Sequence, residues 1–290
     1  MYPKVVQMKG RVDYFLLMAI RWMRFVPPLI ASIFLLYLAP LLGSGPIFKS
    51  AFETMSYPCY KNWYKNILFV NNLWLETVDE MVSQRKKYGI GYCDLAQNQY
   101  FALQCNGPTW YLSAEFQLFL FAPIVLIFLY RKPKLTMYGL GSLTILGCFT
   151  TLMPVLWGKR PANNLLNSWV EDTEQLYDDM YYYLYPPYAH VSAYALGILI
   201  GYVMRKYPDQ CQNLSKLKVT AIWIVSIGLG VFAFTYNKDW NKPGKDPSDF
   251  ELLFYVATKS LVISGFTCGV VFNCANGYGG ISPVIGVKII

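Results

Sequence analysis

Six apolar stretches punctuate this chain, each close to the about 20 residues a helix needs to cross a hydrocarbon core. They run over 25–42, 110–130, 135–156, 188–204, 219–236 and 252–274. Each is apolar nearly all round, so a helical period marks no single buried face. Pro27, Pro28, Pro40 and Pro123 fall within them, which a span tolerates where neighbouring helices satisfy the freed carbonyls. The pattern predicts an all-α polytopic transmembrane bundle of about six spans. A basic juxtamembrane segment covers 1–24 and the transmembrane domain 25–290, with one long lumenal or extracellular loop at 43–109.

Composition removes the alternatives. Of 290 residues, 55% are hydrophobic and 14% charged, against about 25% charged in soluble domains. The 24 Tyr, 18 Phe and 8 Trp suit membrane–water boundaries. The net charge of +8 raises the question of a nucleic-acid partner, but the basic residues crowd short segments flanking the spans. Lys4, Lys9, Arg11, Arg21 and Arg24, then Arg131, Lys132 and Lys134, then Arg205, Lys206, Lys216 and Lys218, and finally Lys288, share one side. Only Asp13 and Asp209 oppose them there. The expected partners are therefore membrane lipids and not nucleic acid. The positive-inside rule puts both termini in the cytosol, in either the endoplasmic reticulum or the plasma membrane. The loop basics Arg85, Lys86 and Lys87 do not weigh against this, since long loops escape the rule.

Cysteines fall in three environments. Cys59, Cys93 and Cys105 share the long loop, where an oxidising compartment permits one bridge among them, with the pair left open. Cys148, Cys268 and Cys274 pack within spans, and Cys211 is cytosolic. A single histidine excludes a His-rich centre, and no metal is expected. Asn213-Leu-Ser215 fits a glycosylation acceptor but lies on the cytosolic side. The residues around Gly43-Ser-Gly45 and Gly277-Tyr-Gly279 read as turns, and Gly197 and Gly201 as a close helix contact. The apolar stretch 281–290 reads as the start of another element, as in a piece of a longer membrane protein.

Candidate chemistry rests on ionisable residues inside spans, where charge is costly and functional or paired. Glu115, His190 and Lys259 all enter from the lumenal end, so acid, imidazole and amine form one possible polar site in the lumenal third. Lys259 equally fits snorkelling, and His190 an interfacial residue. Glu115 and Gln117 lie roughly 200° apart around a helix, so that helix needs polar neighbours on both faces. At the cytosolic boundary, Arg21 and Arg24 share one helical face, a guanidinium pair suited to phosphate or to lipid headgroups. The run Tyr181–Tyr185 reads as an aromatic belt.

An ordered set of short motifs then adds a resemblance. It comprises Arg21-Trp-Met-Arg24-Phe-Val-Pro27, Leu42-Gly-Ser-Gly-Pro46, Cys59 with Asn62-Trp63-Tyr64-Lys65-Asn66 to Asn71-Asn72, Cys105 with Thr109-Trp-Tyr-Leu-Ser-Ala-Glu115-Phe-Gln117, Pro187-Tyr188 with Tyr194-Ala-Leu-Gly197 to Gly201-Tyr202, and Cys274-Ala-Asn-Gly-Tyr-Gly-Gly280. Together they resemble the acyltransferase-3 family in its animal, nose-resistant-to-fluoxetine-6-like branch. The resemblance implies transfer of an acyl group from acyl-CoA, a co-substrate, to a hydroxyl of a lipid or sugar-like acceptor whose identity stays open. It implies that Arg21 and Arg24 face the CoA phosphates, that Glu115 belongs to the buried site, and that Cys59–Cys105 is the bridge. It also implies an arginine and a histidine on a span preceding Arg21, which this sequence does not contain, so His190 is the histidine left to serve as general base. Two rival readings stand beside it: a lipid or small-molecule transporter whose polar path is lined by Glu115, His190 and Lys259, and a catalytically inert remnant.

Overall fold

A computed structural model describes residues 13–45, 48, 59–60, 62–73, 105–158, 180–237, 240 and 248–279. Cys93, the loop basics Arg85 to Lys87, the first basic residues Lys4 to Arg11, and the 281–290 stretch lie outside them. Among the described residues the secondary structure is helical and six helices are long and apolar enough to cross a membrane. We label their α-helical parts α1 (Tyr14–Leu38), α2 (Trp110–Arg131), α3 (Pro133–Thr150), α4 (Val191–Lys206), α5 (Lys216–Thr235) and α6 (Asp249–Ala275), the third span running on to Leu156 and the fourth starting at Pro187. The all-α bundle class is as the apolar pattern predicts, and five of the six spans agree to within a few residues.

The first span does not. It begins at Tyr14 rather than at 25, because Asp13 caps it by accepting a hydrogen bond from Leu16 N at 3.1 Å. Arg21 and Arg24 had argued for a boundary, yet both lie inside the helix. Pro27 and Pro28 also lie inside it. They remove the in-helix bonds to the carbonyls of Met23 and Arg24 without ending the helix.

The chain forms two compact units. One holds 8–124 and 169–187; the other holds 1–7, 125–168 and 188–290. In the amino-terminal unit, α1 and the start of α2 run antiparallel: Tyr14 Oη donates to Leu120 O at 3.0 Å, and Asn106 Nδ2 donates to Ser32 Oγ at 2.7 Å. Part of the stretch read as a loop lies along α1. Its helical residues 62–67 follow Tyr60, whose ring meets Tyr37 at 4.8 Å, and lead to Ile67, whose carbonyl accepts from Trp22 Nε1 at 3.1 Å. Val26, Leu29 and Ile33 pack there against Cys59, Phe69 and Cys105. A disulfide joins Cys59 to Cys105 across 46 positions. On the chain-entropy account, closing such a loop restricts the unfolded chain by about 4 kcal/mol.

The carboxy-terminal unit packs by close approach of small residues. Hydrocarbon rewards no apolar contact between helices, so dispersion across short distances must hold them. A Cβ at Gly147 of α3 would sit 2.7 Å from Ser192 N of α4, and one at Gly269 of α6 would collide with Ser226 Oγ of α5. The close contact expected at Gly197 and Gly201 is not made; among the described residues the space beside both is open. Their i, i+4 spacing is indistinguishable from a contact motif, but that face of α4 is not the one turned to a neighbour. α6 begins with a reciprocal capping box, Ser248 with Glu251. It ends at Gly277, whose φ of 83° allows Tyr278 N to bond back to Asn273 O at 2.9 Å.

Gly147 therefore tests the packing. Gly147→Ala forces a methyl onto the Ser192 backbone and should cost about 1–3 kcal/mol, the usual range for overpacking. Gly197→Ala should be neutral. Fluorescence-detected size exclusion after heating reads the difference; equal melting of both variants would refute the crossing.

Candidate functional site

The strongest chemistry lies in the amino-terminal unit, where Arg21 of α1 forms an ion pair with Glu115 of α2. Arg21 is seven residues into α1, about 10 Å along its axis, and Glu115 five residues into α2, about 8 Å along. The antiparallel register brings the two to one level. This corrects the sequence reading, which put Arg21 at the cytosolic boundary and Glu115 in the lumenal third. The error follows from the late start given to the first span.

Aromatic rings and a second polar cluster surround the pair. The guanidinium carbon of Arg21 stands 3.8 Å from the centroid of Phe119 and 5.3 Å from that of Phe25. A ring face attracts a cation more strongly as water is excluded. One Nη of Arg21 goes to Glu115, while its buried Nε–H meets no acceptor among the described residues. Arg24, one turn further along α1, is exposed.

Gln117, on the other face of α2, makes the polar contacts its position demands. Its Nε2 donates to Phe69 O at 2.7 Å and to Asn72 Oδ1 at 2.8 Å, and Asn72 Nδ2 returns a bond to Gln117 Oε1 at 3.1 Å. Asn72 also donates to Tyr185 O at 3.0 Å. One turn nearer the start of α2, Ser113 donates to Asn71 Oδ1, and Asn71 Nδ2 donates to Thr109 Oγ1 at 3.2 Å. Asn66 Nδ2 donates to Cys105 O. Gln117 thereby satisfies the Phe69 carbonyl in the non-helical stretch 68–73, where Phe69 holds a φ of 55° and stacks on Phe116 at 4.5 Å. Buried irregular backbone needs such partners.

Sequence reasoning quoted Asn71 and Asn72 in a motif but gave them no role. Two adjacent amides after an apolar run were the available signal, because asparagine bonds both to backbone and to side chains. Tyr185, assigned to an aromatic belt, is instead buried, with its ring 5.7 Å from that of Trp110.

His190 and Lys259 belong to the carboxy-terminal unit. His190 occupies the N-cap position of α4. Two residues on, Ser192 Oγ donates to Ser260 Oγ at 3.0 Å, which sets His190 and Lys259 at similar heights on α4 and α6. The Lys259 ammonium stands 5.4 Å from the Tyr255 ring centroid, and the Tyr255 hydroxyl accepts from Asn237 Nδ2 at 3.0 Å.

With this geometry in place, comparison with known proteins is decisive on family. Residues 3–284 match the acyltransferase domain of that family. The chain belongs to the acyltransferase-3 family. It is also 25% identical over 274 residues to nose resistant to fluoxetine protein 6 of Caenorhabditis elegans. That alignment covers 90% of this chain and 29% of the relative, so the chain spans under a third of the relative's length. No solved structure matches. Acyl transfer is the general chemistry of the family, and this chain is a multi-pass member of it.

A double-mutant cycle tests the ion pair. Arg21→Gln and Glu115→Gln should each lower the melting temperature of the detergent-solubilised protein. The double variant should lose less than both together, with a coupling of about 0.5–3 kcal/mol. Strict additivity would mean that the two side chains do not meet.

Proposed function

We propose that this protein transfers an acyl group from acyl-CoA to a hydroxyl of a lipid or sugar-like acceptor. The Arg21–Glu115 pair carries the reading: a carboxylate and a guanidinium whose buried Nε–H has no acceptor among the described residues, held among phenylalanine rings on two membrane helices. Family membership supports the same chemistry. In the reaction the acceptor hydroxyl oxygen attacks the thioester carbonyl carbon and its proton passes to a base. The carbon–sulfur bond breaks and the CoA thiolate leaves, taking up a proton. Glu115 is the proposed base, and the Arg21 Nε–H the proposed donor to the oxyanion that develops. Exposed Arg24 is the proposed phosphate contact, joined by Arg21 if the ion pair opens on donor binding. His190 and Lys259, in the carboxy-terminal unit, are proposed separately as proton-handling groups.

Orientation follows from the charge pattern together with the disulfide. A Cys59–Cys105 bridge belongs in an oxidising compartment, which supports a lumenal or extracellular location for that part of the chain. The basic flanks then face the cytosol, with both termini, in the endoplasmic reticulum or the plasma membrane.

A microsomal assay with labelled acyl-CoA tests the activity. Glu115→Leu should lower transfer by about 100-fold per folded molecule, the lower range for a lost acid–base group, while Cys211→Ser stays near wild type. Equal rates would remove Glu115 from the chemistry. No transfer by the wild type, with lipid movement surviving Glu115→Gln, would favour a transporter. Asn213 tests the orientation separately: it should carry no glycan, and a mobility shift on amidase treatment would invert the topology.

A further inference from the structure

Beside the disulfide, α1 and the segment 59–67 enclose a half-open cavity of about 470 Å³. Its volume falls within the roughly 300–1,000 Å³ of small-molecule sites. α1 contributes Ile30, Ile33, Phe34 and Tyr37, an i, i+3, i+4, i+7 face. The facing segment contributes Tyr60, Trp63 and Ile67 and runs antiparallel, so the groove changes character along its length. One end, about 10 Å from the other at 1.5 Å per residue, is aliphatic, formed by Ile30 and Ile67 over buried Ile33. The opposite end carries Tyr37, Tyr60 and Trp63, beside the point where α1 terminates.

We infer that this groove seats the hydrocarbon tail of a bilayer lipid, with its polar head at the tyrosine and tryptophan end. A bilayer lipid points its tail toward the midplane and its head toward the surface. The groove has the same polarity, since Tyr and Trp belong at the membrane–water interface. Ile30 and Phe34 are exposed on a helix long enough to span, so hydrocarbon is what their open side meets. A second copy of the chain fits less well, because a stable protein interface buries about 800 Å² on each partner and this feature is a narrow furrow. The disulfide at Cys59 holds one wall in place before a ligand arrives. The inference stands apart from acyl transfer, because lipid binding here requires no catalysis.

Photolabelling of the full chain in phosphatidylcholine vesicles tests it. A lipid with a diazirine at its chain terminus should label Ile30, Phe34 and Ile67. A lipid with the diazirine near the glycerol should label Tyr37, Tyr60 and Trp63. Groove labelling should exceed that of the exposed span residues Ile145, Phe149 and Val225 by about tenfold, the preference that burying two extra methylenes gives. Ile30→Trp, which fills the aliphatic end from an exposed position, should cut labelling there toward background while the protein stays monodisperse. Even labelling across all spans, or the two probes in reversed order, would overturn the inference. So would an unlabelled groove at every lipid concentration, the result expected if another part of the chain or a second copy occupies it.

Discussion

In a hydrocarbon environment a polar group has no water to fall back on, and the amino-terminal unit is organised around that constraint. Residues 68–73 are not helical, yet they lie beside α1 and α2, so their carbonyls must find donors inside the protein. Gln117 supplies one to Phe69, and Trp22 supplies one to Ile67 just before the break. Asn72 locks Gln117 and reaches Tyr185 as well. Remove the Gln117 amide and the Phe69 carbonyl loses its side-chain donor, at about 1–3 kcal/mol for a buried group left unpaired. The same register that lets Gln117 reach this backbone turns Glu115 toward Arg21. Scaffold and charge site are therefore two faces of one helix.

This arrangement was partly visible in the sequence. The 3.6-residue period alone separates Glu115 from Gln117, and the demand for polar neighbours on both faces is met by Arg21 on one and Asn72 on the other. The six spans were legible because long apolar runs have few other uses. The start of α1 was not, since two arginines before a Pro-Pro pair look like a membrane boundary. What overrode that reading was tertiary: Glu115 and two phenylalanine rings supply Arg21 with the partners that water would otherwise provide. The Gly197/Gly201 spacing misled for a related reason. Glycine pairs permit close approach, but only the packing decides which are used: Gly265 and Gly269 share the same i, i+4 spacing and both meet a neighbouring helix, whereas Gly147 makes its contact with no glycine at that spacing.

Bringing Arg21 and Glu115 to one level changes how the proposed chemistry must work. With the two on opposite sides, donor phosphates and acceptor hydroxyl are kept apart by the membrane itself. With the two in contact, Arg21 cannot hold a phosphate in full while it holds Glu115 as well. Exposed Arg24 is then the better placed of the two for a polyanion, and donor binding becomes a competition for Arg21. The relative in Caenorhabditis elegans extends well beyond the matched region, so further groups on such a protein would act on a site whose charges are already balanced within this chain.

The two units meet the cost of polarity differently. In the carboxy-terminal unit the helices cross at glycine and serine, and hydroxyls such as Ser192, Ser226 and Ser264 bond locally or to one another. Among the described residues its charged side chains lie at or near the helix ends, apart from Lys259. The amino-terminal unit concentrates a full charge pair, stacked rings, a carboxamide cluster and a covalent bridge within two helices and a short segment. Buried polar atoms without partners occur in both: the Asn273 amide, Asn66 Oδ1 and Arg21 Nε. A neutral amide left unpaired is a local loss of stability. An unpaired N–H on a guanidinium is different, because its charge strengthens any acceptor that reaches it and it already lies beside a carboxylate. That asymmetry is why the proposed chemistry centres on the α1–α2 contact, while the glycine and serine crossings of the carboxy-terminal unit serve packing.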